Sequence, residues 1–340
     1  MSGVLAVLAL DVPESSEEDT DGPVRVLRRP VPADAVALLE LVDELAEGDP
    51  TVLVVHPRHR TADVLPMLRL ARLALRTSRL VAVPTDLPPL ASGVLVDLLA
   101  ALADRLDLDG GRAVALVPEL ERQLLVVGWV RSVARLRRPE PSLRQHLATW
   151  FTLRGFEVTV RPDGSIRRLR ADSAARPPAR GGAVRAAVLS GTDRDRAWLT
   201  EVLASARVSR ASLAGSHPYA KAWFGTARAA ELVVFPADLD VLAEALGDRL
   251  RVESCSWCGL PGPGGPCAFC GADRAGKEPL SAAPVLVAPE QGTSAPAGAD
   301  DPAGADDQPA TEPWLALRPR RRDPGRRARH AVRSSDRDQP

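Results

Sequence analysis

All four cysteines of this 340-residue chain fall between residues 255 and 271, in the stretch CSWCGLPGPGGPCAFCG. Their spacing is C-x2-C-x8-C-x2-C, and each pair is followed by a glycine, Gly259 and Gly271. A CxxC turn aims two thiolates at one point and leaves backbone amides free to hydrogen-bond the sulfurs, while the glycine permits the positive φ such a turn tends to need. Two such turns make a tetrahedral S4 site. Soft thiolates in that geometry favour Zn2+ over Mg2+ or Ca2+, with an iron centre also chemically open. Four protein ligands leave no open coordination position, so the metal would be structural and not catalytic. A redox dithiol pair is the competing chemistry, but two pairs this close compete better for metal.

This stretch resembles the short zinc-ribbon modules in which two CxxCG knuckles sit back to back. The resemblance covers residues 255–271 alone, and the spacer GLPGPGGP has no room for strands of any length, so the ribbon would be minimal. It implies that Cys255, Cys258, Cys267 and Cys270 are the metal ligands; no family is recognised for the rest of the chain. No Lys or Arg lies between Cys255 and Gly271, which removes the phosphate contacts that nucleic-acid binding relies on. Trp257 and Phe269 occupy equivalent positions in the two knuckles, where they would cover the metal, pack on the parent domain or form a docking face.

Elsewhere, residues able to do chemistry are scattered. G-x-G-x-x-G, G-x4-G-K-[ST], G-x-S-x-G and H-E-x-x-H are all missing from the sequence. The best placed group is HPRHR, His56 to Arg60, which follows the apolar run TVLVV, because open parallel sheets bind ligands beyond the carboxyl ends of their strands. Asp86 ends the next apolar run and would line the same crevice. SGTDRDR, residues 190–196, reads as a strand end entering a helix, capped by Thr192 or Asp193 or holding a phosphate on its free amides. SHPYAKAW gathers His217, Tyr219 and Lys221, three acid–base groups in no recognisable mechanism. His146 lies on a predicted helix and reads as a packed residue.

The elements that must carry these residues alternate. Residues 3–12 and 23–29 read as strands and 32–48 as a helix. The order continues with a strand at 51–57, a helix at 61–77, a strand at 79–86 and a helix at 87–107, and GGRAVALVP at 110–118 reads as a further strand. Residues 122–136 are ambiguous, 142–156 read as helical, and 157–170 as a hairpin turning at Asp163-Gly164. Beyond a Pro/Gly-rich break the pattern repeats: strand 183–191, helix 195–207, helix around 217–230, strand 231–236, helix 237–248 and strand 249–254, which runs into Cys255. The expected fold is therefore α/β. It comprises a mostly parallel-sheet domain at 1–170, a linker at 171–183, a smaller α/β domain at 184–254 ending in the ribbon at 255–271, and a disordered tail at 277–340. The ribbon should cap the second domain.

Composition bounds the function. Lys+Arg and Asp+Glu each number 44, so the whole molecule has no net electrostatic pull toward nucleic acid or anionic membrane. The chain lacks Asn, and Ile166 is its one isoleucine and Lys221 and Lys277 its two lysines, so arginine richness here reflects codon usage as much as phosphate binding. No apolar run approaches the roughly 18–20 residues of a membrane helix, and the N-terminus lacks the basic region of a secretory signal, so a cytoplasmic location with reduced thiols and no membrane partner is expected. In the tail an acidic block precedes the arginines from Arg318 to Arg333, with an apolar island at Trp314, Leu315 and Leu317 between them. Without a catalytic motif, the leading reading is a non-catalytic, zinc-binding adaptor making protein contacts through ribbon and tail. The alternatives are an enzyme binding a nucleotide or phosphorylated small molecule at the strand ends around His56 and Asp86, and a nucleic-acid binder acting through the tail.

Overall fold

The computed structural model describes residues 5–15, 24–45, 48, 50–151, 154–169, 183–190, 196–216 and 218–273. Its first sheet is built from β1 (Leu5–Leu10), β2 (Arg25–Arg29), β3 (Thr51–Pro57) and β4 (Leu80–Thr85), with α1 (Ala35–Leu45) before β3 and α2 (Thr61–Leu75) before β4. The strand order is β2-β1-β3-β4 and every pairing is parallel, with Leu8 opposite Leu27 on one side and Val54 on the other. LAVLAL and TVLVVHP are apolar along most of their length because helices cover both faces of a parallel sheet. One face packs on α1 and α2 through Leu38, Val42, Val64 and Leu68.

The other face packs on α3 (Pro89–Leu102) and α4 (Gly110–Gln123). Twelve of the fourteen residues of α3 are buried, as its apolar composition on every side requires. Its far side meets a second sheet, made of β5 (Leu125–Val130), β6 (Phe156–Arg161), β7 (Ser165–Arg168), β8 (Val184–Ser190), β9 (Arg210–Ser216) and β10 (Ala229–Pro236). The order is β7-β6-β5-β10-β8-β9, antiparallel except for β8–β9. Val7, Val55 and Val83 of the first sheet, α3, and Val126, Leu189 and Val233 of the second form one continuous core. Helices α5 (Leu143–Ala148), α6 (Arg196–Ser205), α7 (Ala220–Phe224) and α8 (Leu239–Gly247) complete the second half, and β11 (Glu253–Ser254) with β12 (Pro261–Gly262) forms a two-stranded sheet beside the cysteines.

A two-domain α/β architecture with a parallel first sheet is thus observed, with three corrections. Residues 110–118, expected as a strand, belong to α4: Asp109 caps it by accepting from the Arg112 amide at 2.7 Å, and Ala113, Leu116, Val117 and Leu120 bury one helical face. Its two glycines belong to tight helix contacts, since a Cβ at Gly110 would collide with Thr51 and one at Gly111 with the Pro261 carbonyl. The expected boundary at 171–183 is displaced, because β5–β7 join β8–β10 through the β5–β10 pairing. The first sheet therefore ends its share of the chain with α4, and a domain of 1–170 would cut the second sheet. The strand expected at 249–254 shrinks to Glu253–Ser254, since Arg249 and Arg251 donate their amides to local carbonyls in a turn. Most of the linker, the turn at 191–195, His217 and the tail from 277, including Arg318 to Arg333 and Trp314, lie outside the described residues.

One side chain joins the two sheets through the helix between them. Glu231 of β10 is fully buried, and its two carboxyl oxygens accept from the amides of Leu90 (3.1 Å) and Ala91 (2.8 Å) in the first turn of α3. Pro88 and Pro89 offer neither a capping side chain nor an amide donor there, so the acid from the opposite sheet answers the helix's first free N–H groups. Truncating it strands two buried amides, each costing about 1–3 kcal/mol. Glu231→Ala should lose about 2–5 kcal/mol in urea unfolding, and Glu231→Gln, which keeps one acceptor oxygen, clearly less.

Candidate functional site

In the order β2-β1-β3-β4 the chain steps from β1 to β2 on one side and then crosses back over β1 to β3 on the other, so the switch point lies between β1 and β3, and loops at their carboxyl ends diverge to leave a crevice. Asp11 follows β1 with φ of 55°. One of its carboxyl oxygens accepts from the Val31 amide at 3.0 Å and the other lies 3.5 Å from Arg60. After β3 the chain turns through Arg58–Arg60, and after β4 it reaches Asp86, which binds Arg58 Nε at 2.6 Å and also Arg138. Thr85, fully buried, donates to Glu121 of α4 at 3.0 Å, and Glu121 in turn binds Arg161 of β6 at 2.5 Å. These contacts fasten the strand ends of the first sheet to the second.

Between them lies a cavity of about 50 Å³ lined by Arg58, His59, Asp86, Arg137, Arg138, Ala222 and Trp223. Three guanidinium groups face one carboxyl group. Arg137 is exposed and makes no ion pair among the described residues. Trp223 of α7 closes the far wall, its ring 5.9 Å from that of His59, and its buried indole N–H has no acceptor among the described residues. Burial, followed by the charges of Arg60 and Arg137, lowers the pKa of His59 below the usual 6.5. An adjoining cavity of about 340 Å³ shares Asp86 and Arg138 and is walled by Pro139, Val160, Arg161, Pro162, Asp163 and Gly164. The arrangement can hold an anion, with apolar surface beside it, and nothing in it presents a nucleophile next to a base.

The structure brings Arg58, His59 and Asp86 together as a crevice, but His56 turns inward. It is fully buried, with Nδ1 3.1 Å from the Pro57 carbonyl and Nε2 unpartnered, and burial lowers its pKa. Tyr219 is half-buried, and burial raises its pKa; Lys221 is exposed on α7 and His146 half-buried on α5. None of these three lines the Arg58–Trp223 cavity. Sequence reasoning missed Arg137, Arg138 and Trp223. The arginine pair was legible only as codon bias, and Trp223, four residues after Tyr219, was the available signal on one helix face.

At the cysteines, the Gly259 amide donates to the Cys255 carbonyl at 2.8 Å and the Gly271 amide to that of Cys267 at 2.7 Å, with φ of 72° and 78° at the two glycines. The four Sγ atoms lie within 4.8 Å of one another, with Cys255–Cys270 at 3.8 Å and Cys258–Cys267 at 3.7 Å. That matches the edge, about 3.8 Å, of a tetrahedron with metal–sulfur bonds of about 2.3 Å, so the cluster can hold a metal ion. Amide hydrogen bonds from Cys258 and Trp257 lower the pKa of Cys255, whereas burial pushes Cys258 up to about 12 and raises Cys270. A cation would supply the charge that lets all four ionise.

The module does not cap the second domain as expected. Cys255, Cys267 and Phe269 are buried in the central core, β12 packs on α4, and Arg72 of α2 donates to the carbonyls of Leu80 (2.5 Å) and Ala268 (3.3 Å). Trp257, its sequence counterpart, is 77% exposed while Phe269 is 3% exposed, so the two knuckles play different parts.

No protein-family model and no curated protein matches the sequence. Among solved structures, the fold is similar to that of the DegV family protein Cg2579 from Corynebacterium glutamicum, at a TM-score of 0.50 and 12% identity over 69% of this chain and 98% of that one. A DegV family protein from Thermus thermophilus described by its fatty acid binding matches at 0.45 and 16% identity, covering 68% and 99% of the two chains. DegV of Bacillus subtilis, described as a fatty acid binding protein, matches at 0.45 and 13% identity, covering 68% and 99%. The likeness to the C. glutamicum protein corrects the reading in which no family is recognised outside residues 255–271. It also overturns the reading of the chain as a zinc-ribbon adaptor working through protein–protein contacts, since most of the chain has a fold similar to that of this DegV family protein, with Cys255 and Cys267 packed into its core.

Proposed function

We propose that this chain is a non-catalytic, cytoplasmic binding protein for a small carboxylate-headed amphiphile of the fatty-acid class, with the headgroup among Arg58, Arg137 and Arg138. The observation that carries the reading is the cavity at the carboxyl ends of β3 and β4, where Arg58, Arg137, Arg138 and Trp223 surround the single acid Asp86. Pro139, Val160 and Pro162 beside it offer apolar surface to a chain. The first amides of α3, the usual alternative anion site at a strand end, are taken by Glu231. Fatty acids are the ligands named for the T. thermophilus and B. subtilis proteins.

A ligand that binds only the folded state raises its stability, by about 2.7 kcal/mol at a hundredfold excess over Kd. Oleate should therefore raise the melting temperature, and AMP and inorganic phosphate should not; the opposite ranking would reassign the site to phosphorylated molecules. Arg137→Ala should weaken oleate binding about tenfold, the loss of one charge-assisted hydrogen bond, while leaving the unliganded melting temperature unchanged. His59 should titrate below 6.5 by NMR, move upward in Arg137→Ala, and move upward again when oleate places a negative charge beside it. Because His56 and His59 both have lowered folded values, the unfolded chain binds more protons, so their contribution to stability should fall as pH drops through 6.5.

We further propose that Cys255, Cys258, Cys267 and Cys270 hold one structural Zn2+. The tetrahedral thiol spacing supports this, as does the Arg72 guanidinium beside Cys267 and Cys270, which offsets the negative charge of a four-thiolate site. Purified protein should contain one equivalent of zinc. Because Cys255 and Cys267 are part of the central core, Cys267→Ser or chelation should lower the melting temperature of the whole unit in one transition; a separate, low-temperature transition would mark an independent module.

A further inference from the structure

Twelve of the fourteen residues of α3 are buried, and the two that are not, Asp97 and Ala101, stand one turn apart on the same face. Both open onto a cavity of about 170 Å³ between α3 and the second sheet. It is larger than the cavity of about 50 Å³ at the strand ends and shares no lining residue with it. A single water needs about 10–15 Å³ of such space, so this cavity admits a ligand of about ten heavy atoms.

Its two walls carry opposite charges. On the helix side the acid is Asp97, the one charged residue of an otherwise apolar α3. Gly93, one turn before it, lets the segment after β1 lie against the helix, since a Cβ there would come within 2.8 Å of the Pro13 carbonyl oxygen. That approach brings the buried Ser15 to donate to one carboxyl oxygen of Asp97, while Arg28 of β2 binds the other. Burial, opposed by the charge of Arg28, still holds the Asp97 pKa above the ordinary carboxylate range, so the acid has use for a further cation. On the sheet side Ala187, Leu189 and Val233 pack into the central core, and two residues further out the same faces present Arg185 and Phe235. These two are register partners, with the Arg185 guanidinium 6.0 Å from the ring centroid. Ser212 of β9, opposite Ala187, adds a hydroxyl.

We propose that this cavity binds a free α-amino acid with an aliphatic side chain, its ammonium group on Asp97 and Ser15, its carboxylate on Arg185 and Ser212, and its side chain against Val94, Leu98 and Leu239. A ligand that spans from helix to sheet must carry both charges, because a simple anion would meet Asp97 and a simple amine would meet Arg185, each as a like charge. The end of an acyl chain fits worse: it would take water from both groups and offer no charge in return. The site stands apart from the anion cavity and does not depend on what that cavity holds.

The test is calorimetric titration of the full chain with L-leucine, with 4-methylpentanoate, which lacks the ammonium group, and with isopentylamine, which lacks the carboxylate. L-Leucine should bind, and each analogue about tenfold more weakly or worse, the loss of one charge-assisted contact. Ala101→Leu, which fills the cavity from a part-exposed position, should weaken leucine binding about tenfold or more. Arg185→Gln should weaken leucine binding by a similar factor and leave that of isopentylamine no weaker. Both variants should keep the oleate response, and Arg137→Ala should keep leucine binding, so failure of one site is distinct from failure of the other. No binding of leucine, or leucine binding that survives Ala101→Leu, would overturn the proposal. So would an amine bound as tightly as leucine, which would mark a cation site only, or oleate binding lost in Ala101→Leu, which would make the cavity the end of an acyl channel.

Discussion

Two backbone amides at the start of α3, and the acid that answers them, hold the arrangement together. A helix buried on every side needs its terminal N–H groups paired, and an acid buried on a central strand needs donors; each would be costly alone, and each removes the other's cost. Glu231 reaches α3 from the opposite sheet, so the pairing also sets where the sheets lie along the helix. Asp86 stands just before α3, and α7 with Trp223 stands just before β10. The cavity between Asp86 and Trp223 is therefore framed by residues flanking the two elements that this contact locks.

Much of the fold could be read from local pattern. The runs at 51–57 and 79–86 are strands because both faces are covered, and the Asp163-Gly164 hairpin is where alternation and turn chemistry agree. GGRAVALVP reads as a strand because valines and a double glycine look like a strand entered from a turn. What decides for helix is the Asp109 cap and two contacts that need glycine, with Thr51 and Pro261, residues far away in sequence. The second-sheet strand Arg210–Ser216 carries no local signal, since RASLAGS has small residues in place of the β-branched ones that mark a strand. The exchange of β5–β7 into the second sheet was invisible, since pairing partners leave no trace in local periodicity.

The candidate site was legible only in part. The rule that ligands gather at strand ends led to Arg58, His59 and Asp86, because it depends on sheet order and little else. It said nothing of Arg137, Arg138 and Trp223, which reach the crevice from segments belonging to the other sheet. The cysteine spacing announced a metal-binding geometry. It could not announce that Phe269 would be core and Trp257 surface, because equivalent positions in two knuckles face different neighbours.

The close approach of Gly111 to Pro261 bears on the order in which the chain can assemble. A ribosome that has released residues 1–124 has made every strand of the first sheet and all four of its helices. Yet α3 still lacks the acid for its first turn, and α4 lacks the surface its glycine was shaped to meet, until more than a hundred further residues have emerged. Domains usually complete themselves in the order of synthesis. Here the first sheet is finished by the last described segment of the chain, so the nascent N-terminal half stays open and dependent until the cysteines arrive.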